Sequence, residues 1–320
     1  MVPFEKADLN YMEEFKYFCL KNCFYQNWQY LNIQDALLYL KLGLKLKIIN
    51  NDTGFHVFKH ELLMPLFDMS SVSQGSGEDF NAILDNNLQS VPVIVLVDVY
   101  YLPYRSEYNK YHASHAVFLS GYNKQNNSFK IVDWYSPYFF KGEVSYNNYM
   151  KARISGNPKD VNPFSGFKIN NYWYKLNDKV HNFSPDECVM KNYSELFESS
   201  YDKKKGIYIG KYAIEQIVKY LELYIDMDSV DYSSVCKLVH DELFIYHRAI
   251  ILAERYFYYA INNYKSDVDY KIIACIRNLS EKLSKLNFLL LKGSIICSKE
   301  LYKRICENMI DVADEVFRWR

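Results

Sequence analysis

The sequence predicts an α+β domain built on an antiparallel sheet, followed by an all-α helical bundle. Residues 1 to about 177 mix strand-type apolar runs with helical patterns, punctuated by turn signals such as SQGSG (73–77) and GNPKDVNPFSG (156–166). From about residue 205 the pattern changes, and four long segments place apolar residues three and four apart. Short polar breaks between those segments favour antiparallel helices. NDKVHNFSPDE (177–187) is the junction, so the expected domains are 1–177 and 178–320. A chain of 320 residues is long enough for both.

In chain order, the first element is a helix near the N-terminus, in EFKYFCLKNCFYQNWQYLNIQDALLYL. VPVIVLVDVYYL (91–102) follows as a strongly β-type run, then HAVFLSGY and SFKIVDWY, rich in β-branched and aromatic residues and joined by NKQNN. FKINNYWYKL (167–176) reads as a further strand. The four helical segments are IYIGKYAIEQIVKYLELYI, YSSVCKLVHDELFIYHRAIILAERYFYYAI, DYKIIACIRNLSEKLSKLNFLLL and SKELYKRICENMIDVADEVF.

The hairpin carries the first chemical signal. If Asn123–Asn127 form its loop, Tyr122 faces Ser128 and His115 lies opposite Tyr135, with Asp133 diagonal to it. Alternation then puts His115, Val117 and Leu119 on one face with Phe129, Ile131 and Asp133. Diagonal neighbours are within reach of such side chains, so a His–Asp pair closes one end of an apolar face.

Such a pair gains a chemical purpose when a nucleophile can reach the histidine. The first half contains two cysteines, Cys19 and Cys23. In cysteine enzymes of the papain type the nucleophile opens a buried helix, whose dipole favours thiolate. Counted from Cys19, Cys23, Phe24, Trp28 and Leu31 fall on one helical face, and Asn32 follows as a residue that tolerates the left-handed conformation ending helices. Counted from Cys23, the same positions bring Asn27, Asn32 and Asp35, a poor buried stripe. Cys19 is the favoured nucleophile and Cys23 the alternative.

The order of these pieces resembles a known family. A cysteine opening a buried helix precedes YLNIQDALLYLKLGLKLKI, then VPVIVLVDVYYLPY with its D-x-x-x-L-P-Y run, HASHAVFLSGY and FKIVDWYS. This is similar to the butirosin-biosynthesis acyltransferase N-terminal family, a branch of the papain-like (peptidase C39-like) cysteine fold found beside nonribosomal peptide assembly lines. The resemblance covers about residues 15–176. It implies an acyltransferase that takes an acyl group from a carrier-protein thioester onto Cys19 and releases it to an amine as an amide, the amine being a small molecule such as a diamine. It implies His115 as general base and then acid, and Asp133 as the residue that orients the imidazole. The phosphopantetheine would ride on the carrier protein, so no cofactor is expected in this chain. One departure concerns the oxyanion. Papain-like proteases usually place a glutamine about six residues before the nucleophile, and Glu13 stands here. A carboxylate donates poorly to an oxyanion, which leaves helix-start N–H groups, with Asn22 or another side chain, to do that work.

Other readings stand beside this one. A peptidase of the same fold would use the same three groups, and a binding or scaffold protein would keep them as a structural pair. Lys plus Arg equal Asp plus Glu at 38 each, so no charge excess points to nucleic acid or a membrane surface. With no 18-residue apolar run and a charged N-terminus, the expectation is a cytoplasmic protein. Seven scattered cysteines without a C-x-x-C pair suggest neither disulfides nor a zinc knuckle, and those at 236, 275, 297 and 306 sit at core spacing. His56 and His60 lack partners for a metal site, and no metal is expected. Asp98 belongs either to a substrate cleft or to nearby backbone donors. DKKKG (202–206) is either a solvated loop or a docking patch for an acidic carrier.

Overall fold

The computed structural model describes residues 18–51, 54–57, 63–70, 72–76, 93–135, 138–176, 183–223, 229–296 and 298–318. In chain order these form α1 (Cys19–Tyr30), β1 (Lys47–Asn51), β2 (Gly54–Val57), β3 (Val72–Gly75), β4 (Val93–Asp98), β5 (Ser114–Asn123), β6 (Ser128–Tyr135), β7 (Tyr138–Ser145) and α2 (Tyr146–Ile154). They continue with β8 (Trp173–Leu176), α3 (Pro185–Phe197), β9 (Ser200–Asp202), β10 (Ile207–Ile209), α4 (Lys211–Glu222), α5 (Ser229–Asn262), α6 (Lys271–Gly293) and α7 (Lys299–Arg318).

The chain divides into two compact units. Met1–Leu40 with Pro65–Phe183 form the first, and Lys41–Met64 with Ser184–Arg320 the second. The first unit holds a six-stranded sheet in the order β3-β8-β4-β5-β6-β7, every neighbouring pair antiparallel. Alternation sends Val95, Val97, Val117, Leu119 and Ile131 to one face, where they pack with Tyr149 and Ala152 of α2. α1 lies along β5 and β6 and stacks the edge of Phe24 on Tyr174 of β8. The α+β class with an antiparallel sheet is as the sequence predicts.

A buried cation ties this sheet together. Arg153 of α2 is fully buried and donates from Nη1 to the Leu96 and Tyr172 carbonyls at 2.5 and 2.6 Å, and from Nη2 to Asn171 at 2.5 Å. It thereby satisfies carbonyls of β4 and of the left-handed Asn170–Asn171 turn that leads into β8. Charge-assisted bonds of this kind contribute more than neutral ones. Arg153→Met is expected to destabilise the chain by on the order of 3 kcal/mol in urea unfolding, because three carbonyls lose a charged donor, that of Tyr172 keeping a second one, the Leu96 N–H. A loss below about 1 kcal/mol would show that the turn relaxes to water instead.

The second unit departs from the expected all-α bundle. α4 to α7 match the four periodic segments, but β1 and β2 join β9 and β10 in a four-stranded antiparallel sheet ordered β2-β1-β10-β9. Lys47 pairs with Ile209 and Ile49 with Ile207. Residues 41–64 thus lie with the second unit, whereas the sequence assigned all of 1–177 to the first domain. The IYIG segment starts as a strand, not a helix, because Gly210 takes φ 61° and a Cβ there would stand 2.1 Å from the Glu198 carbonyl oxygen. DKKKG forms the β9–β10 turn, with the Asp202 carboxylate accepting the Lys204 and Lys205 N–H groups. No described helix is long and apolar enough to cross a membrane.

Candidate active site

α1 begins at Cys19. Phe18 precedes it in extended conformation, and its side chain makes no capping hydrogen bond. The N-terminal dipole and first-turn N–H groups therefore face whatever negative charge forms at Cys19. Cys23, Phe24 and Trp28 are buried beneath, and the helix closes through Leu31 with Asn32 at φ 55°. Burial does not single out that stripe: residues 21–28 are all buried, Asn27 among them, and Leu31 is half-buried.

The hairpin supplies the other two groups. Phe118 pairs with Val132 and Leu119 with Ile131, the register expected from the sequence, which places Asp133 diagonal to His115. Nearer the turn the register shifts by one: Asn123 pairs with Ser128, the turn is Lys124–Asn127, and Ser120 is the extra residue of a bulge. The five-residue loop is thus one residue too long, and the bulge restores the alignment.

His115 Nε2 lies 2.7 Å from Asp133 Oδ1. The charge and hydrogen bonding of the same imidazole act on the Cys19 thiol, and with Nε2 turned to Asp133, Nδ1 is the nitrogen that remains for it. Cys19 is half-buried, His115 buried, and Asp133 fully buried. Tyr104 and Arg105 complete the surroundings of the carboxylate. The Tyr104 hydroxyl donates to Asp133 Oδ2 at 3.0 Å, and Arg105 Nη1 donates to the same oxygen at 3.2 Å. The Tyr104 ring stacks on Phe140 with centroids 3.7 Å apart. Arg105 Nη1 also stands 3.3 Å from His115 Nε2, and its Nη2 is 3.4 Å from Glu107 Oε1.

These neighbours set the charges. Burial alone would push the Cys19 thiol up, but the His115 charge, a hydrogen bond from that ring and one from the Ala116 backbone hold it below the ordinary value. Burial would likewise depress His115. The Asp133 charge outweighs that and the repulsion from Arg105, lifting the imidazole to about 9. Burial pushes Asp133 up, yet His115, Arg105 and the Tyr104 hydroxyl hold it below the usual carboxylate range. Cys23 differs sharply: burial and the charges of Cys19 and Asp133 drive its thiol well up, and it donates to the Ala116 carbonyl at 3.6 Å. The Cys19 thiol is thus held low beside a raised imidazole and a carboxylate held low, while Cys23 beneath it is held as a thiol.

The remaining candidates sort by geometry. Asp98 binds inward groups: Oδ1 accepts the Tyr100 and Ala113 N–H groups, and Oδ2 meets His112 Nδ1 at 2.7 Å and the Ser155 hydroxyl at 2.5 Å. It satisfies backbone donors and closes the turn after β4, with His112 stacked on Tyr100. Asn22 is buried and its amide nitrogen is turned to the Trp134 carbonyl at 3.5 Å. Glu13, His60, Cys297 and the side chain of His56 lie outside the described residues. Cys236 and Cys275 are buried and Cys306 is half-buried. Among the described residues, no three His, Cys, Asp or Glu converge in a way that could hold a metal ion.

Tyr104 and Arg105 were not singled out from the sequence, although one signal was present. Arginine appears only at 105 and 153 in the first 247 residues of a lysine-rich chain, and both are buried. A planar, permanently charged fork suits such sites where lysine does not.

Residues 60–134 match the family model for butirosin biosynthesis protein H, N-terminal. The matched span includes the D-x-x-x-L-P-Y run, Arg105, His115 and Asp133, and ends before reaching back to Cys19. A search of curated proteins finds no match.

Proposed function

We propose that the chain is a papain-like cysteine acyltransferase that forms amides in natural-product biosynthesis. It takes its acyl group from a carrier-protein thioester and passes it to a small-molecule amine. The observation that carries this reading is the Cys19 thiol at a helix start, held low by an imidazole whose Nε2 is held by a buried carboxylate. The family match over the hairpin and its preceding turn supports it.

The chemistry follows from these charges. The Cys19 thiolate attacks the thioester carbonyl, and the oxyanion forms against the first-turn N–H groups. Collapse breaks the C–S bond to the carrier thiol, which leaves with the His115 proton. The amine then attacks the acyl-Cys19 carbonyl while neutral His115 takes its proton. Expulsion of the Cys19 thiolate releases the amide and restores the charged pair. Asp133 holds the imidazole and stays ionised throughout. A thioester is more reactive than an amide, so backbone donors alone can serve the oxyanion.

The test is intact mass after exposure to a simple acyl thioester without amine, followed by peptide mapping. An adduct on Cys19 that a diamine discharges is the expected result. Cleavage of peptide substrates in its place would make the chain a peptidase. An unmodified Cys19 with both free and carrier-borne thioesters would leave a binding or scaffold role.

A further inference from the structure

We propose that Arg105 is a positioning residue: it shares the Asp133 carboxylate with His115, fixes its orientation, and keeps the imidazolium able to give up its proton. The inference deepens the acyltransferase reading and rests on it for its chemical purpose. Arg105 is buried, and its Nη1 stands between the two members of the pair, 3.2 Å from Asp133 Oδ2 and 3.3 Å from His115 Nε2.

Only one of these contacts is a hydrogen bond in the working state. Nε2 carries a proton directed at Asp133 Oδ1, and Nη1 has protons only, so both nitrogens are donors to the two oxygens of one carboxylate. Tyr104 is a third donor, on Oδ2. A carboxylate gripped on both oxygens cannot rotate away from the imidazole. Holding it as an anion also keeps the shared proton on the histidine.

The cation has a second effect through space. A buried carboxylate with no other partner would stabilise an imidazolium so strongly that proton transfer to the departing thiol would slow. Arg105 opposes that by repulsion and by drawing off part of the Asp133 charge. Among the described residues, ionisable groups that face the imidazole are Asp133 from β6, Cys19 from α1 and Arg105 from the turn after β4. Glu107 stands behind Arg105, while Tyr104 and Cys23 are held neutral next to them.

The experiment follows the His115 ring signal by NMR against pH in the full chain, the signal being identified by its absence in His115→Gln. No substrate is present, so the result is independent of whether acyl transfer occurs. Arg105→Met is expected to raise the His115 titration by about one pH unit, since a like charge beside the imidazolium is removed. Arg105→Lys, which keeps the charge, is expected to titrate like the unaltered protein. In both variants acylation by a simple thioester is expected to fall about tenfold, because the fork that orients the carboxylate is lost. If Arg105→Met does not fold, Arg105→Gln takes its place with the same expectation. A folded variant without the charge whose His115 titrates as in the unaltered protein would overturn the proposal and leave Arg105 as packing.

Discussion

Cys19→Ala is expected to abolish the acyl adduct, while Cys23→Ala keeps it. The two thiols are one turn apart on the same helix, yet their surroundings separate them. Cys19 is half-buried at the first turn with an imidazole on its sulfur, and its thiol is held low. Cys23 is buried, its thiol is driven well up, and its proton is given to the Ala116 carbonyl. A thiol in that setting packs as a small hydrophobe with a weak donor. Losing the nucleophile removes the covalent route altogether, a fall on the order of 10⁴-fold or more in acylation. Cys23→Ala is expected to cost about 1 kcal/mol of stability and little rate. Intact mass with peptide mapping on both variants decides. An adduct on Cys23, or one surviving in Cys19→Ala, would sink the assignment.

What could be read ahead of the structure follows a physical divide. α1 was legible at its ends, because a terminal Asn is a local signal and Asn32 does adopt the left-handed conformation. Its burial was not, since residues 21–28 are buried all round, Lys21 and Asn27 included. The His115–Asp133 pairing was legible because two strands joined by a short turn have few registers, even though the turn length was misjudged by one. The bulge at Ser120 was not, since nothing local marks which residue a strand will push out. SQGSG looked like a turn, yet Val72–Gly75 form edge strand β3, where Gly75 lies under the Trp173 ring. In FKINNYWYKL only Trp173–Leu176 are strand, the two asparagines before them turning left-handed. β1 was illegible as part of the second unit because its partner β10 is far along the chain. Tyr104 and Arg105 were hidden for a similar reason: a turn brings them to Asp133, and turn conformation is set by Asp98 beneath it. Pairings within a hairpin or a helix can be argued from spacing; those made by loops that fold back cannot.

His115→Gln is expected to cost nearly as much acylation as removing Cys19, and the pH dependence says why. At pH 6 an ordinary cysteine is almost wholly protonated, whereas a thiol held low beside an imidazolium carries more thiolate. Alkylation of Cys19 by iodoacetamide at pH 6 is therefore expected to fall by roughly a hundredfold in His115→Gln, and to approach the unaltered protein only above the ordinary thiol range. Stability should carry the same signature with a defined sign. Folding lifts the imidazole from 6.5 to about 9, so its contribution is fully present below about 6.5 and is lost as pH rises through about 9. The unaltered protein should exceed His115→Gln in unfolding free energy at pH 6, and the gap should close toward pH 10. Comparing the two proteins removes the tyrosines and other cysteines that titrate in the same interval. A gap independent of pH would mean that the imidazole is neutral in the folded chain. The Cys19 thiol would then be uncharged at rest, and any acyl transfer would need His115 to remove its proton during attack instead of beforehand.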